Sequence, residues 1–516
     1  MAEIQTVNDP YDLGVADAIQ SIRTLPSKEI REWQKNKQCF TIMQRAISEH
    51  CDLYYDRNAC YLFLVPAKKL MKIDAEEKSF QRLMFAFSIN PTELVYKYCI
   101  AQLKIFVRKN GKEIQVRYHS HYCPDKQAVY IDRYDDHVIK ITATEVSVVH
   151  NGTDEVLFLE VPLAEPFNLV EIKPDESPLS DHLINLINFK DDILSVQESR
   201  AIFRFCILAM YFRSIMMTRP ITVFKGQKGS GKTLGLKLFG QVLFGSKFSV
   251  MQMTSDSKDF DAAVTNSPYI VIDNLDTPVK WLYDRLAIIA TGGSIKKREL
   301  YTTNTMVDIP LDCFMFITSR EPKFLRDDIA DRTILFNLKR FDKFISEKRI
   351  RNTLLENRDK IMSEIVREIQ NALKALSDQK DYQPEIEFRI ADFGEFMLKV
   401  MRNQDKEAEA QTILRHISTQ QHTMIIDSDP MLRLLSDWIE DNQGREIATK
   451  DLAIELSCRA AELRIPFPMA QSVRSFGRKL KAYLPDLQSK YTVTFRTCGQ
   501  GVVKYQFTDI GEARCQ

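Results

Sequence analysis

The feature that most constrains the fold of this 516-residue chain is a glycine-rich segment near its middle. It reads Gly226, Gln227, Lys228, Gly229, Ser230, Gly231, Lys232 and Thr233. The segment fits the pattern G-x-x-x-x-G-K-[ST], with a short apolar run at Ile221–Phe224 before it and a helical pattern after it. A chance glycine-rich turn is the alternative, but the flanking strand and helix favour a P-loop that binds the phosphates of ATP.

Each residue type in this P-loop has a physical reason. Glycines let the backbone wrap closely around phosphates with its N–H groups pointing inward, and the N-terminus of the following helix favours an anion. We expect Lys232 to reach the β- and γ-phosphates and Thr233 to place its hydroxyl on Mg²⁺. The predicted cofactors are therefore ATP and Mg²⁺.

A P-loop fold also needs an acidic residue at the end of a neighbouring strand, and the apolar run Tyr269–Ile272 ends in Asp273. We expect Asp273 to hold Mg²⁺ through water; an aspartate that merely ends a strand is the alternative. The next residue is Asn274, where many such ATPases have a glutamate that activates water. Asp276 is the first candidate for the general base, because an amide such as that of Asn274 can only orient water.

A polar pair, Thr318 and Ser319, follows the next apolar run. Thr318 is predicted to contact the γ-phosphate or the attacking water. Three arginines come soon after: Arg320, Arg326 and Arg332. One of them is expected to reach a neighbouring subunit's site and neutralise transition-state charge, unless these arginines only pair with nearby surface aspartates.

Two segments are candidates for contact with nucleic acid. The paired glycines Gly292-Gly293 form a tight turn, and three cations follow it: Lys296, Lys297 and Arg298. A basic amphipathic stretch at Met469–Tyr483 carries three more predicted contacts: Arg474, Arg478 and Lys479. A solvated charged loop and a protein-binding module are the respective alternatives.

The chain divides into four predicted regions. Residues 1–180 form an N-terminal α+β module of unknown role, with a proline-rich linker at Pro162–Pro178 and strands that include Ile114–Tyr118. Residues 181–345 alternate strands and helices, which predicts a parallel sheet covered on both faces. Residues 346–425 have the pattern of a helical lid or bundle. Residues 426–516 show three helices and then two strands, an order typical of a winged helix.

Composition narrows the setting. The net charge is +1, so any affinity for DNA must come from local basic patches rather than from the whole chain. No secretory signal or long apolar run is present, and the ten cysteines form no repeated C-x-x-C. We expect a cytoplasmic protein with reduced thiols and no membrane span.

Several blocks, taken in order, resemble a known family. They are Ile270–Leu275, Trp281-Leu282, Ala290–Gly293, Arg298–Thr302 and Asp328–Arg332. Their order and spacing across about residues 185–345 are similar to the AAA+ ATPases of phages, plasmids and integrative elements, often described as helicases or primase-helicases. The resemblance implies a multidomain α/β chain with a central P-loop AAA+ domain. It also implies a homo-hexameric ring that couples ATP turnover to movement along DNA. Thr318 departs from the asparagine expected there as sensor 1.

Two functions follow from the sequence. The first is an ATP-hydrolysing DNA helicase or translocase that replicates a mobile element or phage, with single-stranded DNA in a central channel and duplex DNA at the winged helix. The second is an ATP-switched regulatory or defence protein whose winged helix binds a partner. The absence of a glutamate after Asp273 leaves the second function open.

Overall fold

The chain folds into a mixed α/β structure, described in a computed structural model for residues 9–26, 28–253, 256–276, 279–298, 306–322, 327–386, 389–465, 467, 472–499 and 502–509. Its centre is a parallel five-stranded sheet, which confirms the fold class predicted for that region. Within the described ranges, no helix is long and apolar enough to cross a membrane.

In its described residues, the N-terminal region contains four α-helices and two four-stranded sheets. The helices are α1 (Ala16–Thr24), α2 (Glu32–His50), α3 (Lys78–Ala86) and α4 (Leu94–Asn110). The first sheet comprises β1 (Cys51–Tyr55), β2 (Cys60–Leu64), β3 (Lys69–Lys72) and β4 (Lys112–Glu113). The second is an antiparallel meander of β5 (Ser120–Cys123), β6 (Ala128–Asp132), β7 (His137–Ile141) and β8 (Val146–His150).

Two sequence predictions in this region are wrong. Ile114–Tyr118 is not a strand: only Arg117 pairs, through a single bridge in which its N–H and carbonyl bond to Leu157 and Leu159. The proline-rich segment at 162–178 is not a free linker. Its backbone donates to the side chains of residues 359 and 363, so it lies packed against a helix of the C-terminal half.

The central region begins with α5 (Pro178–His182) and α6 (Val196–Ala209) and ends with the sheet's last strand. The remaining elements are β9 (Ile221–Gly226), α7 (Lys232–Phe244), β10 (Met251–Gln252), α8 (Ser257–Asn266), β11 (Tyr269–Asp273), α9 (Lys280–Ala290), β12 (Ser294–Arg298), β13 (Met306–Pro310), β14 (Phe314–Ser319), α10 (Asp327–Ala330) and β15 (Thr333–Leu338). The parallel sheet has the order β10-β11-β14-β9-β15, and β12 and β13 form a separate antiparallel hairpin.

Apolar residues alternate between the two faces of this sheet, as the two-residue period of a strand requires. Phe224 and Phe316 face one core, which continues into the second N-terminal sheet and the later helices. Val223 and Ile317 face another, formed with α8 and α9. Because both faces are covered, polar side chains collect at the edges where strands begin and end.

A helical region follows and packs into the first of these cores. It comprises α11 (Glu347–Glu356), α12 (Arg358–Asp378), α13 (Ala391–Arg402) and α14 (Glu407–Ser428). The guanidinium of Arg358, which is 6% exposed, donates to the carbonyls of Val242 and Leu243 in α7 and of Glu165 and Pro166 in the proline-rich segment. Arg358 thereby joins α7, α12 and the N-terminal region.

The C-terminal region has a core of its own. Its elements are α15 (Pro430–Asp441), β16 (Ile447–Ala448), α16 (Thr449–Glu462), α17 (Val473–Ala482), α18 (Leu484–Lys490), β17 (Tyr491–Cys498) and β18 (Val502–Asp509). Asp429 caps α15 through the backbone N–H groups of Met431 and Leu432, and Pro430 occupies the first helical turn, as expected for a helix start. The three strands form one sheet in the order β16-β18-β17.

Candidate nucleotide site at the sheet edge

The glycine-rich segment lies between the carboxyl end of β9 and the start of α7, which begins at Lys232. Gly229 and Gly231 have φ angles of 83° and 77°, a left-handed conformation that side chains other than glycine adopt at a cost. The ammonium of Lys232 donates to the carbonyls of Gly226 and Gln227 and so lies over the loop. Glycine at these two positions therefore has a conformational reason, and Lys232 lies next to the loop backbone.

The carboxylate of Asp273 is the centre of a hydrogen-bonded group at this edge. The hydroxyls of Thr233 and Thr318 both donate to Asp273 Oδ1, each at 2.6 Å. Among the described residues, no hydrogen bond reaches the other oxygen, Oδ2. Thr318 also accepts the backbone N–H of Asn274 at 2.8 Å. The structure thus brings together four residues that the sequence placed on three separate segments.

Strand order explains this meeting. β14 lies between β9 and β11, and all three strands are parallel, so their carboxyl ends share one edge. Thr318, at the end of β14, is 1% exposed and stands between the P-loop and Asp273. Its hydroxyl proton is used on Asp273, so Thr318 orients that carboxylate.

Asp276 is held in place by the end of β14. The Ser319 hydroxyl and the Arg320 backbone N–H donate to Asp276 Oδ1 at 2.9 and 2.7 Å. Partial burial acts to raise the pKa of Asp276, but these hydrogen bonds and the charge of Arg320 outweigh it and hold the pKa below its usual value. A carboxylate whose pKa is lowered and whose Oδ1 already accepts two hydrogen bonds is a poorer proton acceptor than a free one.

A cleft of about 590 Å³ opens over these residues. It is lined by the loop from Lys228 to Thr233 and by Gln252, Met253, Asp273, Asn274, Thr318 and Arg320. Burial lowers the pKa of Lys232, and the positive charge of Arg320 lowers it further. The carboxylates of Asp276 and Asp273 act to raise it but do not outweigh burial. The cleft therefore combines backbone donors, cations and one shared carboxylate.

Two aromatic residues beside the P-loop were missed by the sequence analysis. The backbone N–H of Phe341 donates to the Gly229 carbonyl at 3.1 Å, and a Cβ on Gly231 would lie 2.8 Å from the Phe341 ring. A Cβ on Gly229 would lie 3.2 Å from the ring of Phe344, which is 67% exposed. The sequence places both residues just after β15, which runs parallel to β9, so the chain leaves β15 at the edge of the sheet that holds the glycine-rich loop. That position could have identified them.

The three arginines considered from sequence have different locations. Arg320 lines the cleft, 3.6 Å from Asp276, so it belongs to the chain's own site. Arg332 precedes β15, where Thr333 pairs with Ile221 and Leu338 with Gly226. At ~3.3 Å per residue, Arg332 is roughly 20 Å along the sheet from the P-loop. Arg326 lies outside the described residues.

The residues predicted to contact nucleic acid differ in exposure and in ion pairing. Lys296 is exposed on β12, and the side chains of Lys297 and Arg298 lie outside the described residues. Arg474 and Arg478 are exposed on α17. Lys479 is instead ion-paired with Asp429 at 2.6 Å, and Arg496 and Lys504 of the following hairpin both pair with Glu446.

Comparison with known proteins supports part of this picture. Residues 180–408 match the family model described as actinomycete integrative conjugative element replication protein. The match supports a role in replication of a mobile element. No curated protein matches the chain.

Solved structures of the NrS-1 C-terminal region are distantly similar to this chain. One (residues 305–718) covers 91% of this chain and 98% of that one, at 13% identity and a TM-score of 0.43. Another covers 91% and 99%, at 12% identity and a TM-score of 0.43. At such TM-scores the similarity supports no conclusion about fold or function.

Proposed function

We propose that this protein is an ATP-hydrolysing DNA helicase or translocase, built around an AAA+-type domain, that acts in replication of a mobile element. The observation that carries the proposal is the shared carboxylate of Asp273. It accepts the hydroxyls of Thr233 and Thr318 at 2.6 Å beside Lys232 of a P-loop. Residues 180–408, which match a replication protein family, contain the whole of this site.

The donors present fit ATP and Mg²⁺. The loop offers backbone N–H groups, and the N-terminus of α7 adds a favourable dipole for phosphate. Thr233 uses its proton on Asp273, which leaves the hydroxyl oxygen's lone pairs for a hard cation. Mg²⁺ usually takes only one or two carboxylates together with phosphate oxygens, and it would neutralise charge on the transferring phosphate. Lys232 would bind the β- and γ-phosphates by turning from the carbonyls it now contacts.

We propose that a neighbouring subunit supplies Arg332. In its own chain Arg332 lies at the opposite edge of the sheet from the P-loop. Arg332 can reach a phosphate site only if a second copy of the chain packs with the carboxyl edge of its sheet against the amino edge that carries Arg332. This arrangement fits a closed ring, and we propose a homo-hexamer.

Two basic surfaces are proposed to bind DNA. The β12–β13 hairpin exposes Lys296 and would face single-stranded DNA in the channel of the ring. The C-terminal region, in which helices α15 to α18 precede the β17–β18 hairpin, would act as a winged helix, and Arg474 and Arg478 are exposed on its helix α17. These two arginines would contact duplex DNA, whereas Arg496 and Lys504 of the β17–β18 hairpin already share ion pairs with Glu446.

The first experiment is ATP hydrolysis by the wild type and Lys232→Ala, with and without single-stranded DNA. We expect DNA to raise the wild-type rate several-fold and Lys232→Ala to have no activity with or without DNA. Lys237→Ala is a matched control, because Lys237 lies on the same helix but is paired with Glu347 at 3.2 Å. ATP binding with turnover that DNA does not change would rule out the motor.

The duplex surface has its own matched test. Arg474→Ala and Arg478→Ala should each weaken duplex binding and reduce the slope of log K against log salt by ~0.9. Lys479→Ala is the control, because Lys479 is engaged by Asp429 and should change the slope less. Slopes of Arg474→Ala and Arg478→Ala equal to that of the wild type would remove α17 from the proposed DNA interface.

A second candidate function is an ATP-switched regulatory protein whose C-terminal region binds a protein partner. The observation that favours it is the engagement of Asp276 by Ser319 and Arg320, which leaves Asn274 next to Asp273 and no obvious general base. Slow turnover indifferent to DNA, with retained ATP binding, would support this function.

A further inference from the structure

Basic side chains from separate segments meet at the amino edge of the central sheet, opposite the nucleotide cleft. Arg219 lies just before β9, and Asp312 lies just before β14. Arg219 Nη2 pairs with Asp312 Oδ1 at 2.7 Å. The charges of Arg213 and Arg117 act on the same carboxylate. We call Arg117, Arg213, Arg219 and Asp312 the arginine cluster.

The arginine cluster has more positive than negative charge. Burial acts to raise the pKa of Asp312, but the three guanidinium groups outweigh it and hold the pKa below its usual value. Burial lowers the pKa of Arg117 to about 10, and Arg213 adds to the lowering. Nearby His121 has its pKa lowered to about 3 by burial and by the same two arginines, so it is neutral near pH 7. One carboxylate therefore faces three cations.

Arg219 has hydrogen-bonding capacity that the protein does not use. Its side chain is 8% exposed, and Nη2 contacts Asp312 and, at 3.4 Å, the Arg213 carbonyl. Within the described part of the chain, Nε and Nη1 are buried and have no hydrogen-bond partner. Arg213, by contrast, donates to the carbonyls of Tyr118 and Ser120. Buried charged donors are normally paired, so Arg219 is set up for an additional acceptor.

The arginine cluster also has an open side. The Asp312 side chain is 49% exposed. The turn at Gly292 is exposed and lies beside the guanidinium: a Cβ on Gly292 would be 3.8 Å from Arg219 Nη2. Gly292 has a φ of 61°, so the turn needs glycine and leaves no side chain over the arginine. Strand β12, with its exposed Lys296, begins two residues later.

We propose that the arginine cluster binds a phosphate-type oxyanion at the root of the β12–β13 hairpin, and that a nucleic-acid backbone phosphate supplies it. Nε and Nη1 do not converge on one ligand, so the Arg219 guanidinium would donate to a phosphate oxygen through a single charge-assisted N–H, beside the Nη2 that holds Asp312. The assignment of the ligand to a nucleic-acid backbone rests on the proposed function, whereas the anion-binding site itself does not. Arg219 makes the direct contact, Arg213 and Arg117 supply charge, and Asp312 competes with the ligand.

The anion site is tested by thermal unfolding with increasing inorganic phosphate. All variants carry Lys232→Ala, which weakens phosphate binding at the P-loop. Arg219→Gln should reduce the apparent phosphate affinity by ~10-fold or more, and Asp312→Asn should increase it, because the competing carboxylate is gone. Arg117→Gln should also reduce the apparent phosphate affinity. Because Arg117 is less buried than Arg219, this variant tests the site in a protein that keeps the Arg219–Asp312 pair.

The matched control is Asp261→Asn, which breaks the Arg285–Asp261 pair at 2.9 Å around an aspartate that is 2% exposed. It should lower the unfolding temperature without changing the phosphate dependence. If Asp312→Asn and Arg219→Gln shift the phosphate dependence no more than Asp261→Asn does, the arginine cluster is only structural and the proposal is wrong.

The nucleic-acid source is tested by the salt dependence of single-stranded DNA binding. Arg219→Gln should reduce the slope of log K against log salt by ~0.7, the value for one lost phosphate contact. A changed phosphate affinity with an unchanged slope would overturn DNA as the source. If no variant binds DNA, the proposed function fails, while the phosphate titration still decides the anion site.

Discussion

The two edges of the central sheet differ in how their polar groups are satisfied. At the carboxyl edge, Asp273 is bonded by Thr233 and Thr318, and Asp276 by Ser319 and Arg320. At the amino edge, the buried guanidinium of Arg219 keeps two nitrogens without partners among the described residues. At the carboxyl edge the hydrogen bonds hold the carboxylates in place, whereas the amino edge has unused donors and an excess of positive charge that favour an anion. We therefore propose the carboxyl edge as a site for chemistry and the amino edge as a site for anionic charge.

The largest expected effect connects the two edges across subunits. Arg332→Ala should lower ATP hydrolysis by ~1000-fold, because an arginine finger contributes at least that much. A mixture of Arg332→Ala and Lys232→Ala proteins should regain activity, since some interfaces then combine an intact P-loop with an intact Arg332. Steady-state ATPase assays of the mixture measure this. No recovery at any ratio would mean that Arg332 does not act between subunits.

The second effect separates the two carboxylates of the nucleotide edge. Asp273→Asn should reduce hydrolysis by ~100-fold or more, because it removes charge where the cation is proposed to bind. Asp276→Asn keeps the acceptor for Ser319 and Arg320 and should cost much less than the ~100-fold of a general base. Single-turnover rates at saturating ATP give the comparison. Equal losses would identify Asp276 as the base.

The third effect measures how firmly the nucleotide edge is organised. Thr318→Val removes a hydroxyl that accepts the backbone N–H of Asn274 and donates to Asp273, from a side chain that is 1% exposed. We expect the free energy of unfolding to fall by ~1–3 kcal/mol, measured by urea denaturation. Thr318→Ser keeps the hydroxyl and is the control. If valine and serine destabilise equally, the bond is not a source of stability.

The smallest effect concerns pH at the amino edge. The pKa of His121 is about 3, so between there and the ordinary value of about 6.5 the unfolded chain binds more protons than the folded one. Acidification from pH 7 to 5 should therefore lower stability, and His121→Asn should reduce that loss. Urea midpoints at both pH values provide the measurement. Identical pH dependence of the urea midpoint in the wild type and His121→Asn would contradict the lowered pKa of His121.

The nucleotide edge could be predicted because its residues are close in sequence or follow apolar runs that form strands of one parallel sheet. The pattern Gly226–Thr233 defines a loop by itself, and Asp273 and Thr318 both follow apolar runs that must be strands of the buried sheet. Parallel strands place their carboxyl ends together, so the meeting of these side chains followed from the order of elements.

The amino edge could not be predicted in this way. Arg117 and Arg219 are about a hundred residues apart, and Arg117 reaches the arginine cluster from a segment whose strand-like pattern forms only a single bridge. The aromatic cover of the P-loop by Phe341 and Phe344 depends equally on tertiary packing. Local pattern carries no information about which loops meet at the start of strands.

The contacts of Arg358 have an evolutionary consequence. One guanidinium joins the carbonyls of α7 to those of the segment that leads out of the N-terminal region. A recombination event that exchanged the N-terminal region for an unrelated one would remove two of its four acceptors and leave a buried cation short of partners. Lineages that carry this arginine should therefore inherit the N-terminal region and the P-loop helix together, rather than exchange them as separate parts.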